Sequence, residues 1–265
     1  MTAQKKIVTA ALIVIGNEIL SGRTQDKNIA HIAKTLNEVG VRLYEVRVVP
    51  DVEAEIVEAV NTLRAKHDYV FTTGGIGPTH DDITAECVAK AFGLKLIQNP
   101  ESLRRLEAHY RHSDRELNEA RLRMANTPEG AELIDNPIST APGFRVENVF
   151  VMAGVPSIMQ AMLSGVKDGL VGGEAVLSRT VLCDLGEGTV AAGLGEIQKA
   201  HPDIDIGSYP QYARGRFRVS VVARGTDAFE LDACVDEMMA LIRRLGGDPR
   251  ELEEVEAEAL AAEGA

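Results

Sequence analysis

The sequence predicts an α/β fold, a mostly parallel sheet wrapped by crossover helices, followed by a small α+β domain. Three observations carry this. Aliphatic, β-branched runs alternate with helix-spaced amphipathic segments from residue 8 onward. Glycine-rich or proline-rich turns stand where those runs end. The stretch Val171-Gly172-Gly173 then interrupts the pattern, and a shorter alternation follows. The implied division is a first domain over 1–172, a second over 173–250, and an acidic tail over 251–265.

Taken in order, Val8 to Ile15 reads as a strand buried on both faces. Asn28 to Val39 carries Ile29, Ile32, Ala33, Leu36 and Val39 at helical spacing, with Gly40 as its stop. Val41 to Val49 is the second strand, Pro50-Asp51 opens a helix through Leu63, and Tyr69 to Thr73 is the third strand. A glycine-rich loop from Gly74 feeds a helix capped by Thr84 and ended by Gly93. Residues 100 to 126 read as polar helix. Turn-formers follow at Thr127-Pro128-Glu129-Gly130, Asn136-Pro137 and Thr140-Ala141-Pro142-Gly143. Val149 to Met152 is a strand, and Pro156 suits the first turn of the next helix. Beyond Gly173 come a strand (Val176 to Leu182), a helix (Val190 to Ala200), two strands (Ile204 to Gly207, Arg216 to Ala223) and a helix (Phe229 to Arg243), a small sheet covered on one face.

Composition narrows the function classes. At 265 residues, with 45% hydrophobic and 26% charged residues, the chain has the make-up of a folded protein. A net charge of -12 repels phosphate backbones, so nucleic acid is not an expected partner. Three cysteines (Cys87, Cys183, Cys234) lack metal or disulfide spacing and point to a reducing, cytoplasmic setting. Lys5-Lys6 precede the apolar run Ile7 to Ile15, but that run ends in Gly16-Asn17-Glu18 rather than a cleavage site, and reads as a strand. No apolar run nears the ~20 residues of a membrane span.

The chemistry concentrates in Gly74-Gly75-Ile76-Gly77-Pro78-Thr79-His80-Asp81-Asp82. A glycine turn between a buried strand and a helix lets backbone N–H groups approach an anion, and the helix N-terminus adds partial positive charge. A plain tight turn would also use these glycines; the Walker A ending and G-x-G-x-x-G are both absent. The position favours a ligand, because open α/β sheets bind at strand carboxyl ends. Asp82, Asp51 and Glu18 all follow strands at that edge. Each also suits a cap or turn, yet three acids beside an anion loop suit a Mg²⁺-type ion that shares phosphate oxygens. His80 is placed to touch phosphate. His109-x-x-His112 lacks the partners of a zinc site. The pairs Arg104-Arg105 and Arg121-x-Arg123 are either solvated or reach a ligand phosphate from the side.

Thr72-Thr73-Gly74-Gly75-Ile76-Gly77-Pro78 with Asp82-Ile83-Thr84 resembles the signature of MoaB/Mog-type molybdopterin-binding domains. Gly16-Asn17-Glu18-Ile19-Leu20-Ser21-Gly22 and Asp26-x-Asn28 resemble that family's first-strand segment, with Asn17 where Asp is frequent. Asn118-Glu119-Ala120-Arg121, Pro128-Glu129-Gly130-Ala131, Thr140-Ala141-Pro142-Gly143-Phe144 and Ala153-Gly154-Val155-Pro156 resemble the CinA-like subfamily and the N-terminal domain of eukaryotic FAD synthases. The likeness spans roughly 7 to 170. Ser208-Tyr209-Pro210 and its surroundings resemble the small second domain of the same relatives.

The resemblance implies a three-layer sandwich and a phosphate-binding set of Thr73, Gly74, Gly75, Gly77 and His80. Ser21, Asn28, Thr140, Gly154 and Pro156 join it from the other motifs. Asp82 and Asp51 are the expected catalytic residues, and Asp82 with Glu18 the expected ligands of a magnesium or cobalt ion. CinA-type relatives imply a metal-dependent pyrophosphatase acting on ADP-ribose, FAD or a similar dinucleotide. MoaB/Mog relatives imply molybdopterin binding or adenylylation, and a non-catalytic ligand sensor is a third reading. Nicotinamide-nucleotide deamidation is not expected, because the resemblance does not include the CinA amidase domain. A homodimer is implied.

Overall fold

The computed structural model describes residues 7–111, 113–213 and 216–252, which divide into two units, 1–174 and 175–265. In the first, strand β1 (Val8–Ile15) is flanked by the short helix α1 (Asn17–Leu20), then α2 (Asn28–Glu38) and β2 (Val41–Val49). Next come α3 (Glu53–Lys66), β3 (Tyr69–Thr73), α4 (Thr84–Phe92), β4 (Leu96–Gln98) and α5 (Pro100–Arg111). Helix α6 (Glu119–Leu122) leads through β5 (Asn126–Pro128), β6 (Glu132–Ile134), β7 (Gly143–Val146) and β8 (Val149–Met152) into α7 (Pro156–Val166).

The main sheet has the order β2-β1-β3-β8-β7-β6. Its first four strands run parallel, while β7 runs antiparallel between β8 and β6. The unbroken apolar run of β1 has a direct cause, since both of its faces are covered. Ala11, Ile13 and Ile15 pack with Ile56 and Val60 of α3 and Val88 of α4. Ala10, Leu12 and Val14 pack on the other side with Ile32 and Leu36 of α2 and Met159 and Met162 of α7. The result is the expected three-layer sandwich, with the carboxyl ends of four parallel strands at one edge.

The structure adds to the sequence reading at two places. Thr127-Pro128 and Gly143 belong to β5 and β7 rather than to plain turns; β5 pairs with β4 and β7 with β8. Thr84 is the first residue of α4 and does not cap it. Its hydroxyl is buried and donates to the Gly74 carbonyl at 3.0 Å.

The second unit contains β9 (Leu177–Cys183), α8 (Glu187–Ala200), β10 (Asp205–Ala213), β11 (Arg216–Gly225), α9 (Ala228–Arg244) and β12 (Arg250–Glu251). The strands form an antiparallel sheet of order β10-β11-β9-β12. Alternate residues Val219, Val221 and Ala223 of β11 share one core with Leu194 of α8 and Leu231 and Met238 of α9. All three cysteines are free and buried. Burial pushes the Cys87 thiol up to about 12 and that of Cys234 to about 11. Among the described residues no helix is long and apolar enough to cross a membrane. The expected tail from Glu253 onward and His112 lie outside the described residues.

Candidate functional site

Beyond the carboxyl ends of the parallel strands lies a cavity of about 520 Å³. Its floor is the loop that follows β3. Gly74 and Gly75 have φ of 103° and 68°, in the region that favours glycine. A Cβ on Gly74 would overlap the Ile15 carbonyl oxygen, and one on Gly75 would overlap the Thr84 hydroxyl. Gly74 N donates to the Met152 carbonyl at 3.2 Å, and Thr84 N to the Gly75 carbonyl at 3.0 Å. The loop is therefore fixed by its carbonyls and its first amide. Among the described residues the N–H groups of Gly75, Ile76 and Gly77 donate to no protein acceptor, and all three residues line the cavity. Successive unpaired N–H groups make an anion-binding concavity. The N-terminus of α7 opens onto the same space through Val155, Pro156 and Ile158, adding a second source of partial positive charge.

Four acids stand around this floor: Glu18, Asp51, Asp81 and Asp82 all line the cavity. Asp51 and Asp82 also hold structure. Asp51 Oδ2 accepts from Asn17 N at 2.8 Å, which fixes the start of α1. Asp82 Oδ2 accepts from Thr79 N at 2.8 Å and from Thr79 Oγ1 at 2.5 Å, which braces the loop. The Glu18 carboxylate lies against the Cα of Gly16. Among the described residues no three His, Cys, Asp or Glu side chains gather as a metal cage requires. A Mg²⁺ ion brought in with a phosphate needs only one or two protein carboxylates.

The other expected residues divide into two groups. Gly74, Gly75, Gly77, Gly154 and Pro156 line the cavity. Thr73 lies buried beneath the loop, its hydroxyl without a partner among the described residues. Asn28 is buried as well, and its Nδ2 donates to the Gly154 carbonyl at 2.8 Å. That bond holds Gly154 against Gly74, close enough that a Cβ on Gly154 would stand 3.2 Å from the Gly74 Cα. Ser21 donates to the Glu18 carbonyl and does not line the cavity. His80 points to solvent, its side chain 97% exposed, and Thr140 lines a neighbouring depression.

Sequence reasoning missed Asn136, Met124 and Ser139, which complete the wall. Asn136 is 7% exposed, and its Oδ1 accepts from Ile138 N and Ser139 N. Its Asn-Pro turn was the available signal, because an Asn before Pro commonly bonds its own turn.

Comparison with known proteins agrees with this architecture. Residues 11–170 match the family model described as "Probable molybdopterin binding domain". Residues 175–245 match that described as "FAD synthase, middle domain". A protein of Pyrobaculum calidifontis is 37% identical over 212 residues, covering 77% of this chain and 81% of its own. A CinA-like protein of Geobacter metallireducens is 36% identical over 89% of this chain, which spans 60% of that longer protein. The crystal structure of the protein CinA with unknown function, from Thermoplasma acidophilum, matches with a TM-score of 0.57 and 36% identity. It covers 61% of this chain and 96% of its own. This chain belongs to the molybdopterin-binding-domain family, in its CinA-like form.

Proposed function

We propose that the protein hydrolyses the pyrophosphate bond of a nucleotide substrate of the ADP-ribose or FAD type. The observation that carries this reading is the pairing of three N–H groups on the loop floor, free among the described residues, with four carboxylates on the rim of one cavity. The N–H groups of Gly75, Ile76 and Gly77 would hold a bridging or terminal phosphate and stabilise charge developing on it. Asp82 and Asp51 each have one carboxylate oxygen with no protein partner among the described residues, available to orient water or take its proton. A divalent ion held by Asp82 and Glu18 with the substrate would supply charge neutralisation and an activated water. The fold also offers a dry wall for a ring system, from Ile76, Met124 and Ile158.

Incubation of purified protein with Mg²⁺ or Co²⁺ and a panel of ADP-ribose, FAD and NAD tests this directly. Release of AMP is the expected result, and an intact panel after prolonged incubation would refute hydrolysis. The match over residues 11–170 favours a second reading, binding or adenylylation of molybdopterin. That reading predicts tight pterin binding without AMP release from dinucleotides.

A further inference from the structure

Beside the cavity lies a depression of about 400 Å³ that the proposed reaction leaves unused. Glu101, Arg104 and Arg105 of α5 line one side, Asp135 and Thr140 the other. Asn136 lines both hollows. The partition between them is the segment 136–141, and Asn136 fastens it: Nδ2 donates to Ser139 Oγ at 2.7 Å and to the Ala141 carbonyl at 2.8 Å. Ser139 and Ala141 line the large cavity, whereas Thr140 lines the depression. The Thr140 hydroxyl lies 3.1 Å from His109 Nδ1, which ties the partition to α5.

The charges of this depression cancel. Arg104 bonds both Glu101 oxygens, through Nε and Nη2, at 2.7 Å each. Arg105 donates Nε to Glu101 at 2.8 Å and Nη1 to Asp135 at 2.5 Å. A guanidinium carries five N–H donors, so each arginine keeps donors in hand. Bonded first by Arg104 and then by Arg105, the Glu101 carboxyl falls to about 2 and remains an acceptor at neutral pH. A balanced set of N–H donors and carboxylate acceptors is a poor trap for a bare anion. It matches neighbouring sugar hydroxyls, which donate and accept at once, as a carboxylate does for ribose in dinucleotide-binding folds.

We infer that this depression is a sugar subsite, taking the terminal polyol of a substrate whose pyrophosphate lies on the Gly75–Gly77 floor. The inference rests on the pyrophosphate reading and gives a place to the ribose or ribityl chain that substrates of the ADP-ribose or FAD type carry beyond the second phosphate. A ligand that ends at its phosphate gains nothing from these residues.

Calorimetric titration of the full chain with ADP-ribose and with ADP, which lacks the terminal sugar, tests it. The wild type should bind ADP-ribose at least about 10-fold more tightly than ADP, the effect of a single hydrogen bond to a charged group. In the double variant Arg104→Ala, Asp135→Asn that ratio should fall toward one. Both side chains are mostly exposed, at 68% and 77%, and melting temperature verifies that the variant folds. A wild-type ratio near one, with ADP bound, would overturn the sugar subsite alone. An unchanged ratio in the double variant would overturn it equally. Failure of the wild type to bind either ligand would overturn the pyrophosphate reading and this inference together.

Discussion

Asp82 is asked to do two jobs, and paired substitutions separate them. Its carboxylate braces the loop through Thr79 N and Thr79 Oγ1. Hydrogen bonds to charged acceptors contribute about 1.5–3 kcal/mol each when buried. Asp82 is only half-buried, so roughly 2 kcal/mol for the pair is a reasonable discount. In a unit of this size about 1 kcal/mol shifts the melting temperature by about 2–4 °C. Asp82→Ala should therefore melt about 4–8 °C lower. Asp82→Asn keeps an oxygen that accepts both bonds and should melt within about 4 °C of wild type. The chemical job depends on the charge, so both variants should lose about 100-fold or more in turnover, the lower end for a proton-transferring group. Rates of AMP release, normalised to folded protein by calorimetry, provide the comparison. An Asp82→Asn variant turning over at the wild-type rate would reduce Asp82 to a loop brace. An Asp82→Ala variant melting like wild type would refute the bracing argument.

Other expectations follow from the same contacts. Thr84→Val leaves the Gly74 carbonyl without its donor and should cost about 1–3 kcal/mol in denaturant unfolding, while Thr84→Ser should restore most of it; equal stability of Val and Thr would refute the bond's role. With Cys87 near 12 and Cys234 near 11, the thiols stay protonated and buried, so a thiol reagent at pH 8 should label the native chain slowly and all three cysteines after denaturation. Rapid labelling of either thiol in the native protein would contradict the packing. Glu101 has its pKa depressed from 4.5 to about 2, so its stabilising effect is complete above about pH 4.5 and fades as pH falls toward 2. Glu101→Gln should thus narrow the stability difference from wild type in that acid window, and a difference independent of pH would refute it. Light scattering at micromolar concentration checks the implied homodimer, which a mass of 28.6 kDa would exclude.

Legibility in the sequence tracked the length over which a physical pattern could repeat. The eight-residue β1 and eleven-residue α2 gave periodicity time to accumulate. Strands β6 and β7, of three and four residues, did not, and their role comes from pairing beside β8. The acids Glu18, Asp51 and Asp82 could be grouped because parallel strands all end at one edge, so residues far apart in sequence become neighbours. His80 could not be placed that way. It sits at a loop tip where the side chain's direction depends on a turn that residue order does not specify, and the Thr79–Asp82 bonds turn it outward. Asn136 was missed for a related reason, since its value lies in bonding its own turn and only secondarily in the wall it forms.

The glycines of the loop show why a motif alone left fold and function entangled. Gly74 and Gly75 are demanded by the Ile15 carbonyl and the Thr84 hydroxyl beside them, so packing by itself would keep them. What packing does not require is the run of amides without acceptors among the described residues. A tight turn made only to link β3 to α4 could pair them with its own carbonyls. Here the Gly74 and Gly75 carbonyls are engaged by Thr84 instead, which turns the amides of Gly75 to Gly77 into the cavity. The hydroxyl of Thr84 is thus the link between the two roles: by occupying the Gly74 carbonyl it both anchors α4 and leaves the anion floor open.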